Sequence, residues 1–281
     1  MTELEATAYD PFLRAAIAED VGGGDITTDA VIPESATATA DVVVRVDGVL
    51  AGLAVALRVF ALVDSRIDRD VKIQDGTHVQ AGAAVARLSG PARGILTAER
   101  VALNLLGRLS GIATLTRSYV DEVRGLHAKI TDTRKTTPGL RALERYAVRA
   151  GGGVNNRFGL HDAVLIKDNH LAAVGGVGEA VARGRKGATG DPVIEVECDT
   201  LQQVTDALVA GADSVLLDNM DAATIAEAMK MASGRAIVEA SGGINLRTVR
   251  GVAVTGVDVI SVGALTHGAV SLDVALDIVV R

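Results

Sequence analysis

The sequence predicts an α/β protein, with an N-terminal α+β unit followed by a six- or seven-unit α/β barrel that stops short of a full ring. Three observations lead there. First, apolar strand-like runs recur at 163–169, 192–198, 213–219, 236–243 and 257–265, with helical stretches between them. The last four are spaced roughly 20 residues apart, and "HAKITDTRK" makes a sixth βα unit, the rhythm of a parallel sheet. Second, the chain of 281 residues is 48% hydrophobic but only 2% aromatic, with no Trp. Its core must be Val, Ala, Leu and Ile, which suits a sheet packed under helices. Third, no G-x-G-x-x-G follows the first strand, which favours a barrel over an open doubly wound sheet.

In chain order, residues 10–20 read as a short helix with Asp10 as N-cap and Pro11 in the first helical position. "GGGDITTDAVIP" reads as a loop, 36–47 as a strand and 52–63 as a helix. Short strands follow, punctuated by turns at Asp75-Gly76 and Ala81-Gly82. This hairpin run resembles a lipoyl or biotinyl carrier module, but a carrier needs a lysine at the hairpin tip, and Lys72 lies within a strand ahead of the turn. Residues 96–125 carry a long helical pattern, expected to break near Ser110-Gly111. The domains expected are 1–110 and 111–267, with the tail 268–281 packing back on the first.

There is no basic n-region followed by an apolar h-region, so no signal peptide is expected, and no apolar run is long enough to span a membrane. The single cysteine, Cys198, excludes an intrachain disulfide and suits the cytoplasm. The net charge of −7 argues against nucleic-acid binding. The charge is uneven. Residues 93–157 hold 12 Lys/Arg against 5 Asp/Glu, a net of +7, leaving a net of −14 elsewhere.

Barrel chemistry lies at the C-terminal ends of the strands. Those ends carry Asp132, Arg134 and Lys135; Lys167, Asp168 and Asn169; Glu195 and Glu197; Asp218 and Asn219; Glu239 with Ser241-Gly242-Gly243; and Ser261 with Gly263. Early strands supply cations (with Arg157), middle strands carboxylates, and the last two supply glycine turns that can cradle a phosphate. The layout suits a phosphorylated sugar bearing a pyrophosphate.

"EDVGGGDITTDAVIP", "TAER", "DTRKTTPGLR", "RYAVRAGGGVN", "LIKDNH", "EVE", "LLDN", "SGGI" and "VGALTH" occur in that order. Together, from about residue 10 to 277, they resemble the quinolinate phosphoribosyltransferase family, the carboxylating nicotinate-nucleotide pyrophosphorylases. The resemblance implies a sandwich-like N-terminal domain plus an incomplete barrel. It implies that quinolinate and phosphoribosyl pyrophosphate (PRPP) react with Mg²⁺ to give nicotinate mononucleotide, pyrophosphate and CO₂. It also implies a homodimer with shared active sites, a higher oligomer being left open.

For this chain the resemblance implies that Arg134 and Arg157 hold quinolinate carboxylates, and that Arg100 reaches in from the neighbouring subunit. Lys135 and Lys167 neutralise carboxylates and diphosphate. Glu197 and Asp218 hold ribose hydroxyls and Mg²⁺, largely through substrate and water. Ser241, Gly242, Gly243 and Gly263 take the 5′-phosphate, with His267 near that end or merely capping. Read without the resemblance, Arg100 is the neighbour of Glu99 on a solvated helix.

The family's "GGGVNHR" reads "GGGVNNR" here, so Asn156 stands for a histidine. Asn keeps a donor amide but never a charge. Losing a charge-assisted bond costs roughly 1–2 kcal/mol of binding, about tenfold. The change leaves open a different pyridine or aromatic carboxylate as acceptor, as in relatives found with molybdenum-transport genes. A non-catalytic phosphometabolite-binding protein and a lysine Schiff-base aldolase using Lys167 are the readings from other classes. His161 and His170 are nine residues apart, not the i,i+4 spacing of a helical zinc pair, and His78 and His127 read as surface residues.

Overall fold

In the computed structural model, residues 6–190 and 192–281 are described. The chain runs α1 (Ala6–Val21), α2 (Ile26–Val31), β1 (Thr37–Val44), β2 (Gly48–Val49), α3 (Leu53–Val63), β3 (Asp68–Val71), β4 (His78–Val79), β5 (Ala84–Pro91) and α4 (Ala92–Glu122). It continues with β6 (Lys129–Thr131), α5 (Arg141–Ala150), β7 (Val164–Ile166), α6 (Asp168–Val174), α7 (Val177–Gly187), β8 (Ile194–Cys198), α8 (Leu201–Val209) and β9 (Ser214–Asp218). Last come α9 (Ala222–Ala232), β10 (Ile237–Ser241), α10 (Val249–Val254), β11 (Val259–Ser261), α11 (Ala264–His267) and β12 (Val274–Val280).

Two compact units result. One comprises 1–117, 136–152 and 266–281, the other 118–135 and 153–265. Residues 111–117 and 136–152 therefore group with the N-terminal elements, where a cut at 110 assigns them to the barrel.

The first unit holds a four-stranded antiparallel sheet in the order β12-β1-β5-β3 and a two-stranded β2-β4 ribbon. β12 pairs with β1 along its length, from Ala38↔Val280 to Val44↔Val274. Val44, Val85 and Leu88 from this sheet, Val59 and Phe60 from α3, and Ile95 and Leu106 from α4 are almost wholly buried.

Three local expectations are corrected here. The segment 22–33 is not all loop: Asp25 accepts from the Thr28 N–H at 3.0 Å and caps α2. α1 starts at Ala6 and carries Pro11 inside it, so Asp10 is not its N-cap. Its carboxylate instead takes a two-pronged bond from Arg58 on α3, at 3.0 and 2.5 Å, which anchors the turn around the proline. And α4 runs unbroken through Ser110-Gly111. The buried Ser110 hydroxyl accepts from Ala51 N–H and donates to Ala51 C=O, at 3.0 and 3.2 Å, so it serves a neighbouring segment and does not end the helix. At Gly111 a Cβ would lie 2.1 Å from the Val270 carbonyl oxygen, so the glycine is there for close backbone approach.

The second unit is a six-stranded, all-parallel sheet in the order β6-β11-β10-β9-β8-β7. This is the expected α/β barrel with one seam missing, between β6 and β7. On the free edge of β6, Val154 forms a single parallel bridge with Thr131, its N–H donating to Ile130 C=O at 2.9 Å. Every strand ends on the same rim.

Candidate active site

Strand alternation builds the site. On β8, Ile194, Val196 and Cys198 are buried on one face, which puts Glu195 and Glu197 together on the other. The register then sets their neighbours. Ile166 lies opposite Val196, which brings the next residue, Lys167, beside Glu197, and the two form an ion pair. Glu195 lies opposite Ser214 and accepts its hydroxyl at 3.0 Å. On the other side of β9, Asp218 lies opposite Ser241.

After β10 the chain turns sharply through Gly242 (φ 91°) and Gly243 (φ 61°). A Cβ on Gly242 would sit 2.2 Å from Asn219 Oδ1, so only glycine lets the turn pack against the end of β9. Asn219 N–H donates to Ser241 C=O at 2.9 Å, and its amide donates to Asp218 Oδ2 at 2.6 Å. Asp218 and the glycine turn are thereby fixed side by side, with Gly263 following β11.

On the opposite side, Arg134 and Lys135 are exposed beyond the end of β6. Arg157 is half-buried, donating to Ala163 C=O at 3.3 Å. Burial, and then the charge of Arg134, push the Arg157 guanidinium down from its usual pKa, opposed by Glu195 and Asp162. Two guanidiniums that feel each other's charge are suited to a ligand with two carboxylates.

Below the rim lies a buried carboxyl group. Glu239 is 6% exposed. Burial, and then the negative charge of Glu195, raise its pKa to about 8, with Ser261 opposing and Asp132 adding to the rise. Glu195 is also raised, by burial first, against the Ser214 hydroxyl and the Arg157 charge. The amide of Asn156 donates to Glu239 Oε1 at 3.4 Å.

The barrel unit thus brings together Arg134, Lys135, Asn156, Arg157, Lys167, Glu197, Asp218, Ser241, Gly242, Gly243 and Gly263. Arg100 and His267 belong to the first unit. Arg100 is 64% exposed on α4, 3.9 Å from Glu99, and His267 is exposed at the end of α11. His170 accepts from the Lys167 N–H at 2.9 Å as part of the α6 cap. Lys167 stands in an ion pair with Glu197, whereas an imine-forming lysine needs an apolar pocket.

Among the described residues no three His, Cys, Asp or Glu side chains converge as a metal-ligand set. Mg²⁺ takes one or two carboxylates and fills its shell with water and substrate oxygens. Glu197 and Asp218, on neighbouring strands, fit a metal that arrives with a diphosphate and do not form a resident cage.

Sequence reasoning named Asp132 and Glu239 at strand ends without giving them work, and it passed over Asn155. The available signal was the two-residue period: Glu239 precedes Ser241 by two, and Asp132 is the first residue beyond β6.

Residues 25–110 match the family model of the quinolinate phosphoribosyl transferase N-terminal domain, and residues 112–277 that of its C-terminal domain. The chain is 45% identical over 260 residues to a probable carboxylating nicotinate-nucleotide pyrophosphorylase of Bacillus subtilis, covering 92% of this chain and 90% of that protein. It is 45% identical to the carboxylating nicotinate-nucleotide pyrophosphorylase of Mycobacterium leprae, over 99% of this chain and all of that one. Among solved structures it is similar to NadC of Streptococcus pyogenes, with a TM-score of 0.97, 41% identity and full coverage of both chains.

Proposed function

We propose roles for the site residues on one premise: this chain belongs to the quinolinate phosphoribosyl transferase family and contains both of its domains. The activity is phosphoribosyl transfer to quinolinate with loss of CO₂, a step of NAD biosynthesis. The observation that carries the reading is the polarity of one rim. Two guanidiniums stand at one side, an ion-paired Lys167 and two carboxylates in the middle, and a glycine turn at the other. That order matches a dicarboxylate, a ribose with its diphosphate, and a 5′-phosphate.

Arg134 and Arg157 hold the two quinolinate carboxylates, with Asn156 donating beside them. Backbone N–H groups of Gly242, Gly243 and Gly263, with the Ser241 hydroxyl, take the 5′-phosphate. Glu197 and Asp218 receive the ribose hydroxyls and hold Mg²⁺ through substrate and water. Bound Mg²⁺ supplies charge neutralisation to the diphosphate. Lys135 and Lys167 add to it from the protein, and a preorganised field of this kind is the main catalytic term.

As the C1–O bond to pyrophosphate breaks, C1 becomes oxocarbenium-like and the pyridine nitrogen bonds to it. The ring nitrogen is then cationic and draws the electron pair of the C2–carboxylate bond. CO₂ leaves, and C2 takes a proton from solvent. No side-chain nucleophile is needed, and Cys198 is unsuited to be one, since burial pushes its thiol up to about 12. The functional unit is a cytoplasmic homodimer, in which the partner subunit's Arg100 completes the acceptor pocket.

The test is product formation from PRPP, Mg²⁺ and carboxyl-labelled quinolinate, with nicotinate in a parallel run. Equal amounts of CO₂ and nicotinate mononucleotide, from quinolinate alone, are expected. PRPP binding with no turnover of quinolinate would leave the donor half standing and replace the acceptor, with Asn156 as the first place to look.

A further inference from the structure

We propose that Asp132 is a positioning residue for the acceptor pocket, setting from the buried end of β6 the two arginines that receive the carboxylates. This rests on the assignment of Arg134 and Arg157 to the acceptor.

The argument starts from the missing seam. The segment carrying Asn155, Asn156 and Arg157 runs along the free edge of β6, where no full strand pairs. Its main-chain contact with β6 is at Val154, with Val154 N–H on Ile130 C=O at 2.9 Å and Thr131 Oγ1 donating to Val154 C=O at 3.1 Å. Immediately beyond, Asp132 takes over. Its Oδ2 accepts from Asn155 Nδ2 at 2.6 Å and its Oδ1 from Asn156 N–H at 2.8 Å. The residue is wholly buried. Its carboxylate stands where a neighbouring strand would otherwise offer main-chain acceptors.

The next link is local. Asn156 Oδ1 accepts from Arg157 N–H at 2.6 Å, so the arginine's backbone is referred to Asp132 through one residue. On the chain's other side, Arg134 follows Asp132 by two residues. One buried side chain thus indexes both guanidiniums, and their separation is what reads the spacing of two carboxylates.

A carboxylate suits the position because two donors converge on it and it accepts through both oxygens. An asparagine there has one acceptor oxygen and turns its NH₂ toward a donor. Asp132 also helps to raise the proton affinity of Glu239 nearby.

The experiment compares D132N, N155A and the exchanged pair D132N/N155D with wild type. D132N is expected to raise the quinolinate KM about tenfold or more, the loss of one charge-assisted bond. Turnover at saturation and the PRPP Kd should stay within about threefold, because the glycine turn and the β8–β9 carboxylates are untouched. N155A, which leaves the buried group intact, should move the KM the same way by less. It keeps the test open if D132N folds poorly. D132N/N155D restores a donor–acceptor pair at the same place and should recover most of the loss.

An unchanged quinolinate KM overturns the proposal. So does a parallel loss of quinolinate and PRPP affinity, or an exchanged pair no better than D132N. Amide hydrogen exchange of residues 153–158 gives a readout independent of the acceptor. If wild type does not turn over quinolinate, faster exchange in D132N retains the clamp while the acceptor assignment fails. Unchanged exchange overturns the clamp itself.

Discussion

Three carboxylates of the antiparallel unit and two of the barrel unit are treated in opposite ways. In the antiparallel unit, Asp10, Asp41 and Asp64 each receive the two-pronged fork of an arginine: Arg58, Arg87 and Arg66, at 2.5–3.0 Å. That bond is the largest influence on each, and it holds all three below the usual carboxylate range. In the barrel unit, burial pushes Glu195 and Glu239 the other way, with the charge of Glu197 adding to the rise at Glu195 and that of Glu195 to the rise at Glu239. A paired surface carboxylate is a staple whose loss is mild. A carboxyl governed first by burial, as at Glu239, is a standing cost in folding.

The sharpest way to break the contrast lies at its exception. In the first unit, Glu144 of α5 is wholly buried and bonded by Arg108 of α4 at 2.8 Å, and it also holds the Thr137 hydroxyl and N–H at 2.8 and 3.1 Å. R108M strands that charge in the interior, and a loss of about 3–5 kcal/mol in denaturant unfolding is expected. R108M/E144Q should recover part of it. If R108M costs no more than a surface substitution, burial is not what separates the two classes of carboxylate.

Next comes Glu239. Its folded-state pKa of about 8 lies above the ordinary 4.5, so the folded chain holds a proton that the unfolded chain releases. Its contribution is present in full below pH 4.5 and is lost as pH rises through 8. The arginine-forked aspartates have the opposite sign, adding stability above their ordinary 3.8 and losing it in acid. E239Q should therefore gain on wild type between pH 5 and pH 8, by on the order of 2 kcal/mol at the upper end. Equal pH slopes for the two proteins would show that Glu239 is ionised throughout.

The smallest effect belongs to the exposed Arg87–Asp41 pair across β5 and β1. A double-mutant cycle there should give a coupling near the limit of detection, and high salt should abolish it.

Much of this arrangement is legible in the chain. The six parallel strands follow from the apolar runs, and the polar rim from reading what ends each one. What escaped is instructive. The Ser110-Gly111 pair looks like a helix break, because the local signal is the same whether a hydroxyl competes with its own helix or serves Ala51. Asp132 could be placed at a strand end but not given its partners, because Asn155 and Asn156 reach it only through a seam that exists once the barrel has formed. Glu239 looked like one more polar strand end, because its environment is set by Glu195 and Asp132, far off in sequence.

The pairing of β12 with β1 bears on how the chain is made. β1 is a central strand of its sheet, yet its partner is synthesised only after the whole barrel segment. At roughly 5–20 residues per second, β1 waits on the order of ten seconds or more with one row of N–H and C=O groups unclaimed. The nascent sheet is for that time an adhesive edge, open to β1 of another emerging chain. Mistakes in producing this protein should therefore depend on the crowding of ribosomes along one message before they depend on the stability of the finished fold.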